Sequence, residues 1–335
     1  MSRLILLTIF LLLTACSSTG PVTFVPAKDS QRIVWPSAPE PARIEFITAF
    51  SNAQDLGIEK SIFTKLLDLF TGADDQNLAR PYALAVFENR LAIADPDAAV
   101  VHLYDLKKQT YNRIERVAEN QLESPISVAI DNHRLFIADS KSNKVFVLDS
   151  SNKLQHIIEG LERPTSLSLN PSQQRLFIAD TLAHKVFAYD LVGNYLFKIG
   201  ERGENDLEFN YPSHLAASDK KLFVNDTMNF RVQIFDTNGQ HISTFGKQGD
   251  ASGYLTQSKG IAVDSDGHIY IADALANRVQ IFTQNGEFLL EFGNTGRQHG
   301  EFQMPTGLAV WNDKIFVADS YNQRIQVFQY LKVDE

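Results

Sequence analysis

The chain has 335 residues, a formal charge of −9, 44% apolar and 21% charged residues, and a single cysteine, Cys16. An acidic balance of this size argues against nucleic acid as a partner. One cysteine excludes an internal disulfide framework, so stability has to come from packing in a globular fold with a large core.

The first segment, "MSRLILLTIFLLLTAC", has one basic residue, an apolar run from Leu4 to Leu13 and small residues ending at Cys16. This is the architecture of a secretory leader. A membrane span needs about 20 apolar residues, and this run stops at half that, so no mature transmembrane helix is expected from it. "LTAC", Leu13 to Cys16, resembles the lipobox of bacterial lipoproteins, which implies a leader over residues 1–15 and lipid on Cys16. In that family Ser17, which is not an aspartate, implies an outer-membrane anchor facing the periplasm. Removal of Arg3 with the leader takes the charge to −10. Residues 16–41, rich in Ser, Pro and Thr without a sustained period, read as a lipidated tether, with Trp35 expected to dock on a domain spanning 42–331.

"ARIEFITAFS", Ala42 to Ser51, reads as a lone strand. In "LGIEKSIFTKLLDLF" the apolar residues Ile58, Ile62, Phe63, Leu66, Leu67 and Phe70 fall at helical spacings, with charged residues between them. The spacing predicts an amphipathic helix over 56–70. It would pack as a lid on the domain or be offered to a partner; weak basicity argues against a membrane surface.

From there the pattern of apolar strand, Ala-Asp, short loop, basic residue and second apolar strand recurs. The copies are "LAIADPDAAVVHLYDL", "LFIADSKSNKVFVLDS", "LFIADTLAHKVFAYDL", "LFVNDTMNFRVQIFDT", "IYIADALANRVQIFTQ" and "IFVADSYNQRIQVFQY". Their aspartates, Asp95, Asp139, Asp180, Asp226, Asp273 and Asp319, are 44, 41, 46, 47 and 46 residues apart, a period that suits a four-stranded propeller blade. In the fifth unit strands are expected over Gly260 to Val263, His268 to Ala272, Arg278 to Phe282 and Phe288 to Phe292, separated by the hairpin signals "DSDG" and "QNG". The sixth unit lacks a fourth strand, and the lone strand at Ala42 to Ser51 matches the missing one.

The units resemble NHL repeats, whose pattern runs Pro-x-Gly, an apolar strand, Ala-Asp, Asn, Arg and an aromatic strand; the match covers Pro81 to Phe328. The resemblance implies an all-β, six-bladed β-propeller, with the N-terminal strand closing the last blade and one inserted amphipathic helix. A carboxylate repeated around a ring is a brace between loop ends rather than a reactive group. Asp139, Asp180, Asp226, Asp273 and Asp319 are expected to cap loop amides or to pair with Lys144, Lys185, Arg231, Arg278 and Arg324. The first unit departs from the pattern: Pro96 and Asp97 follow Asp95, and no basic residue stands at the usual place.

Relatives of this fold include amidating lyases with zinc, sugar-lactone hydrolases with calcium, and streptogramin lyases, all with chemistry at the channel mouth. At the inner-strand positions where the family prefers glycine stand Ala83, Ser127, Ser166, His214, Gly260 and Gly307. His214 alone is a ligand type there, a candidate for a metal-assisted lyase or hydrolase site or else a hydrogen-bonded histidine of the scaffold. His184 and His299 are expected in outer loops of the same face, and His102, His133, His156, His241 and His268 look incidental. No nucleophile elbow, phosphate loop or paired metal motif occurs, so no cofactor is expected. Two residues after the repeated aspartates, Leu182, Met228, Leu275 and Tyr321 are apolar in blades three to six. They either fold onto neighbouring loops or form an interaction face. The expected role is a lipid-anchored, non-catalytic binding platform for another envelope protein or a small ligand.

Overall fold

The computed structural model describes Phe24 and residues 32–59 and 76–332. Within it the repeats form five four-stranded antiparallel sheets and one five-stranded sheet. The fifth sheet runs Ser258–Val263, Ile269–Asp273, Arg278–Phe282 and Phe288–Phe292. The two outer strands match the sequence expectation, and the inner strand starts two residues earlier.

The unbroken apolar runs follow from where the faces of each sheet go. In Arg134–Asp139 of the second blade, Leu135 and Ile137 pack with residues of the first blade, whereas Phe136 and Ala138 pack with the third. Side chains alternate across a strand, so a sheet stacked on both sides needs both sets apolar. The buried apolar side chains form six clusters, one between each pair of adjacent blades, and the sixth blade closes on the first. Near the axis the inner strands almost touch: a Cβ on Gly260 would lie 2.1 Å from the Thr306 carbonyl oxygen, and one on Gly307 2.7 Å from that of Tyr82.

Two faces result. The loops after each repeated aspartate and the links between blades form the brace face; the turns joining first to second and third to fourth strands form the hairpin face.

In the sixth sheet Ile44–Phe50 pairs antiparallel with Arg324–Tyr330, from Ile44 opposite Tyr330 to Phe50 opposite Ile325. Val34–Trp35 adds a fifth strand beyond it. The ordered sheet therefore takes in residues expected in the tether, because Trp35 packs its ring 5.8 Å from both Phe292 and Phe328, and Arg32 donates two hydrogen bonds to Glu45 at 2.6 and 2.7 Å. The helix expected over 56–70 falls mostly outside the described residues. Its first residues are not helical: a 3₁₀ turn, Gln54–Leu56, ends at Gly57 in the left-handed region, φ +72°, which turns the chain and buries Ile58.

Deleting residues 44–50 should lower the unfolding temperature of the whole domain, since Arg324–Tyr330 becomes an open edge and a cluster loses the buried Phe50. Phe50→Ala alone should cost roughly 3–5 kcal/mol. Unchanged thermal unfolding of the deletion variant, followed by circular dichroism, would exclude a part for this strand in holding the ring.

Candidate functional site

All six repeated aspartates are completely buried. A carboxylate removed from water at that depth costs several kcal/mol unless its lone pairs are filled, and here the fillers are backbone amides of the preceding link. Asp139 accepts from Glu123 N at 2.7 Å, from Ser124 N, and from Lys141 N and Ser142 N of its own loop. Asp180 accepts from Glu162 N at 2.7 Å and Arg163 N at 2.8 Å. Each carboxylate thus ties the start of one blade to the loop that follows its own second strand.

The basic partners divide into two groups. Arg231 and Arg324 pair with Asp226 and Asp319 at 2.8 Å. Arg278 stands 3.8 Å from Asp273 and 2.9 Å from Glu291. The two lysines do otherwise: Lys144 pairs with Glu159 at 3.1 Å, and among the described residues Lys185 makes no ion pair with Asp180. Sequence reasoning missed the group that completes the brace in blades four to six. Gln233, Gln280 and Gln326, two residues after each arginine, are completely buried. Each donates to a link carbonyl, Glu208 at 2.6 Å, Tyr254 at 2.7 Å and Glu301 at 2.6 Å, and accepts from Leu207, Gly253 and Gly300 amides. The signal was present: Arg-x-Gln occurs in the three blades preceded by the Gly-rich links "GERGENDLEF", "GKQGDASGYL" and "GNTGRQHGEF". These longer links carry more unpaired backbone, and the planar fork and amide fill it.

In the first blade His102 occupies the place of those glutamines, so it is not incidental. It is fully buried, its Nε2 lies 3.6 Å from Asp95, and its Nδ1 contacts the Tyr111 hydroxyl at 2.9 Å. Burial pushes the Asp95 carboxyl up, but His102 and the Arg80 and Ala79 amides outweigh it and hold the group below its ordinary value. Asp97 pairs with Arg80 at 2.6 Å across the link. His184 contacts the Phe209 carbonyl oxygen at 3.1 Å, and His299 stacks on Phe46 at 4.7 Å.

His214 is buried on the axis rather than open at a mouth. Its ring stacks at 5.8 Å on that of Tyr82, from the opposite blade, so the pair closes the channel near the brace face. Its Nδ1 is 3.0 Å from Ser213 Oγ, which contacts Thr227 Oγ1, which lies 3.3 Å from the Ser258 carbonyl oxygen. One placement of protons fills all three contacts. Thr227 donates to the carbonyl, Ser213 donates to Thr227, and His214 Nδ1–H donates to Ser213. That tautomer leaves the His214 Nε2 lone pair bare, and Nε2 is buried without a partner. Burial, and then the nearby Lys259 charge, press the imidazole down to a pKa of about 3. The fourth blade differs from the others at the paired position as well. Asn225 replaces the usual alanine and donates to the Lys259 carbonyl at 2.6 Å.

Below this plug the channel widens toward the hairpin face into a cavity of about 290 Å³ lined by apolar inner-strand residues, among them Val86, Ile130, Leu169 and Val310. Among the described residues, the one group of three acids and histidines close enough to share a metal ion is Asp264, Asp266 and His268, away from the axis. Asp264 there already accepts from His268 and Tyr270, and Asp266 pairs with Lys332 at 3.2 Å. On the brace face Leu182 is 44% exposed, Met228 50%, Leu275 59% and Tyr321 59%, and Tyr211 is exposed beside them.

The NHL repeat family matches residues 302–328, and a family described as a 6-bladed beta-propeller matches residues 204–274. Comparison with curated proteins gave no match. Among solved structures, virginiamycin B lyase from Staphylococcus aureus is similar with a TM-score of 0.57 and 13% identity, over 76% of this chain and 97% of that one. A catalytically inactive variant of the lyase with quinupristin gives 0.58 and 13%, over 77% and 98%. A structural genomics protein of unknown function from Bacteroides thetaiotaomicron gives 0.58 and 14%, over 76% and 70%. At these identities the likeness is one of fold.

The depressed pKa of His214 has a pH consequence. The folded chain refuses a proton that the unfolded chain accepts below its ordinary value of 6.5. The contribution is complete above that value and is lost as pH falls toward about 3, by up to about 1.4 kcal/mol per pH unit. His214→Phe should flatten the acid limb of stability between pH 6 and about 4 in denaturant titrations. Equal acid slopes for the two proteins would exclude a buried neutral His214.

Proposed function

We propose that this six-bladed β-propeller of NHL-type repeats is a lipid-anchored, non-catalytic binding platform of the bacterial cell envelope, anchored through Cys16 and facing the periplasm. Its brace face would engage another envelope protein. The observation that carries the reading is the exposure of Leu182, Met228, Leu275 and Tyr321 in successive blades, since a run of exposed large apolar groups is a mark of interaction surfaces. Buried carboxylates and glutamines hold the loops beneath them, so the surface is offered on a rigid support with little ordering cost on binding. The N-terminal strand acts as the clasp of the ring. Among the described residues no helix is long and apolar enough to cross a membrane.

Replacing Leu182 with Met228, and Leu275 with Tyr321, by serine in pairs tests the surface. Crosslinking of the partner in the envelope should fall at least tenfold while thermal unfolding stays unchanged. Lost stability with crosslinking intact would mean that the arc only packs.

A second reading, an envelope lyase or hydrolase with a metal-assisted site, is favoured by one observation, the bare Nε2 of His214 on the channel axis. Metal analysis of the purified domain separates the two. Stoichiometric zinc or calcium that disappears in His214→Ala would support the enzyme, and a metal-free domain would support the platform.

A further inference from the structure

Arg43 stands just before the N-terminal strand Ile44–Phe50, at the hairpin end of the sixth blade. Of the arginines that are buried or half-buried, it alone makes no side-chain hydrogen bond or ion pair among the described residues. The others are filled. Arg90, Arg134 and Arg175 donate to carbonyls of the next blade, Arg80 and Arg113 pair with acids, and Arg231, Arg278 and Arg324 complete the braces. A guanidinium keeps its charge whatever surrounds it, so one drawn partly out of water without a partner is costly until an anion arrives.

Arg43 lines a cleft of about 400 Å³ between the fifth blade and the N-terminal segment. The walls are largely apolar: Ile281, Leu289 and Leu290 come from the outer strands of the fifth blade, with two prolines of the N-terminal segment. His268 and Tyr330 add two rings 5.5 Å apart. Nδ1–H of His268 donates to Asp264 at 2.8 Å, which fixes that ring. Among the described residues the Tyr330 hydroxyl makes no hydrogen bond. Burial pushes it above its ordinary value and the charge of Arg43 opposes the push, so guanidinium and hydroxyl lie within electrostatic reach of each other.

We propose that this cleft binds a small amphipathic carboxylate, its head held by Arg43 and the Tyr330 hydroxyl and its apolar body laid on Leu289 and Leu290. Apolar walls with a few polar groups that fix orientation are the make-up of small-molecule sites, and the volume is in their range. The sign of the ligand's charge follows from the exposure of the two ions in the cleft. Glu40 also lines it but is exposed, and water screens an exposed carboxylate. Arg43 is half-buried, and its planar fork matches a carboxylate. The cleft shares no residue with the apolar arc or the channel axis, and it does not depend on the lipid anchor.

The test uses the full chain carrying Cys16→Ser, which removes the expected lipid, and probes that share an aliphatic chain but differ in the head: octanoate, 1-octanol and octyltrimethylammonium. In isothermal titration octanoate should bind at least tenfold more tightly than either control. Arg43→Gln should weaken octanoate at least tenfold and leave any octanol binding unchanged, with thermal unfolding as in the parent. Leu289→Glu, at an exposed strand position, puts a carboxylate into the cleft and should abolish octanoate binding without touching the clasp. Octanoate binding that survives either substitution, or octyltrimethylammonium binding as tightly, would overturn the assignment. So would a folded parent chain that does not bind octanoate.

Discussion

A carboxylate with no access to water has to be filled, and this fold buries one in every blade. The six aspartates tie the end of each second strand to the link that opens the same blade. Once the link is fixed, the inner strand enters the ring, and at Gly260 and Gly307 the strands approach so closely that a Cβ would clash. Links and the loops after the second strands are positioned by this one repeated interaction. Its strength comes from short bonds made away from solvent, where an unfilled partner would be costly.

The braces are not uniform, and their variation follows the links. In blades two and three, entered by links over residues 115–124 and 159–163, amides alone fill the carboxylate, and Lys144 pairs with Glu159. In blades four to six, where the links are longer and rich in glycine, arginine and a buried glutamine are added. In the first blade, where the link is replaced by a long insertion, histidine takes the glutamine's place. In every blade a buried carboxylate ties the loop after the second strand to the end of the incoming link.

The two ends of the channel differ as the two faces do. Toward the brace face the axis is shut by Tyr82 and His214 from opposite blades, and toward the hairpin face it opens into a cavity between the inner strands. The fourth blade alone combines histidine and asparagine at the paired inner positions, and the imidazole Nε2 there is buried without a partner.

By itself the sequence determined the architecture, because the period near 45 residues, the alternating apolar strands and the repeated Ala-Asp are local features that each copy restates. It also singled out the repeated aspartates and the strand that pairs with Arg324–Tyr330, but not the lysines' partners or the buried glutamines. What only the tertiary structure decided depends on distances between residues far apart in the chain. That Gln280 reaches the Tyr254 carbonyl follows from how a blade's third strand meets its own incoming link, that Lys144 turns to Glu159 from how the same strand meets the outgoing link, and that His102 faces Asp95 from the pairing of second and third strands. That His214 meets Tyr82 follows from ring closure, which brings the first and fourth blades face to face across the axis. The exposure of Leu275 and the burial of Gln280, five residues apart, could not be separated by composition. One lies at the tip of a loop held open by its aspartate, the other under the link that the same aspartate holds down.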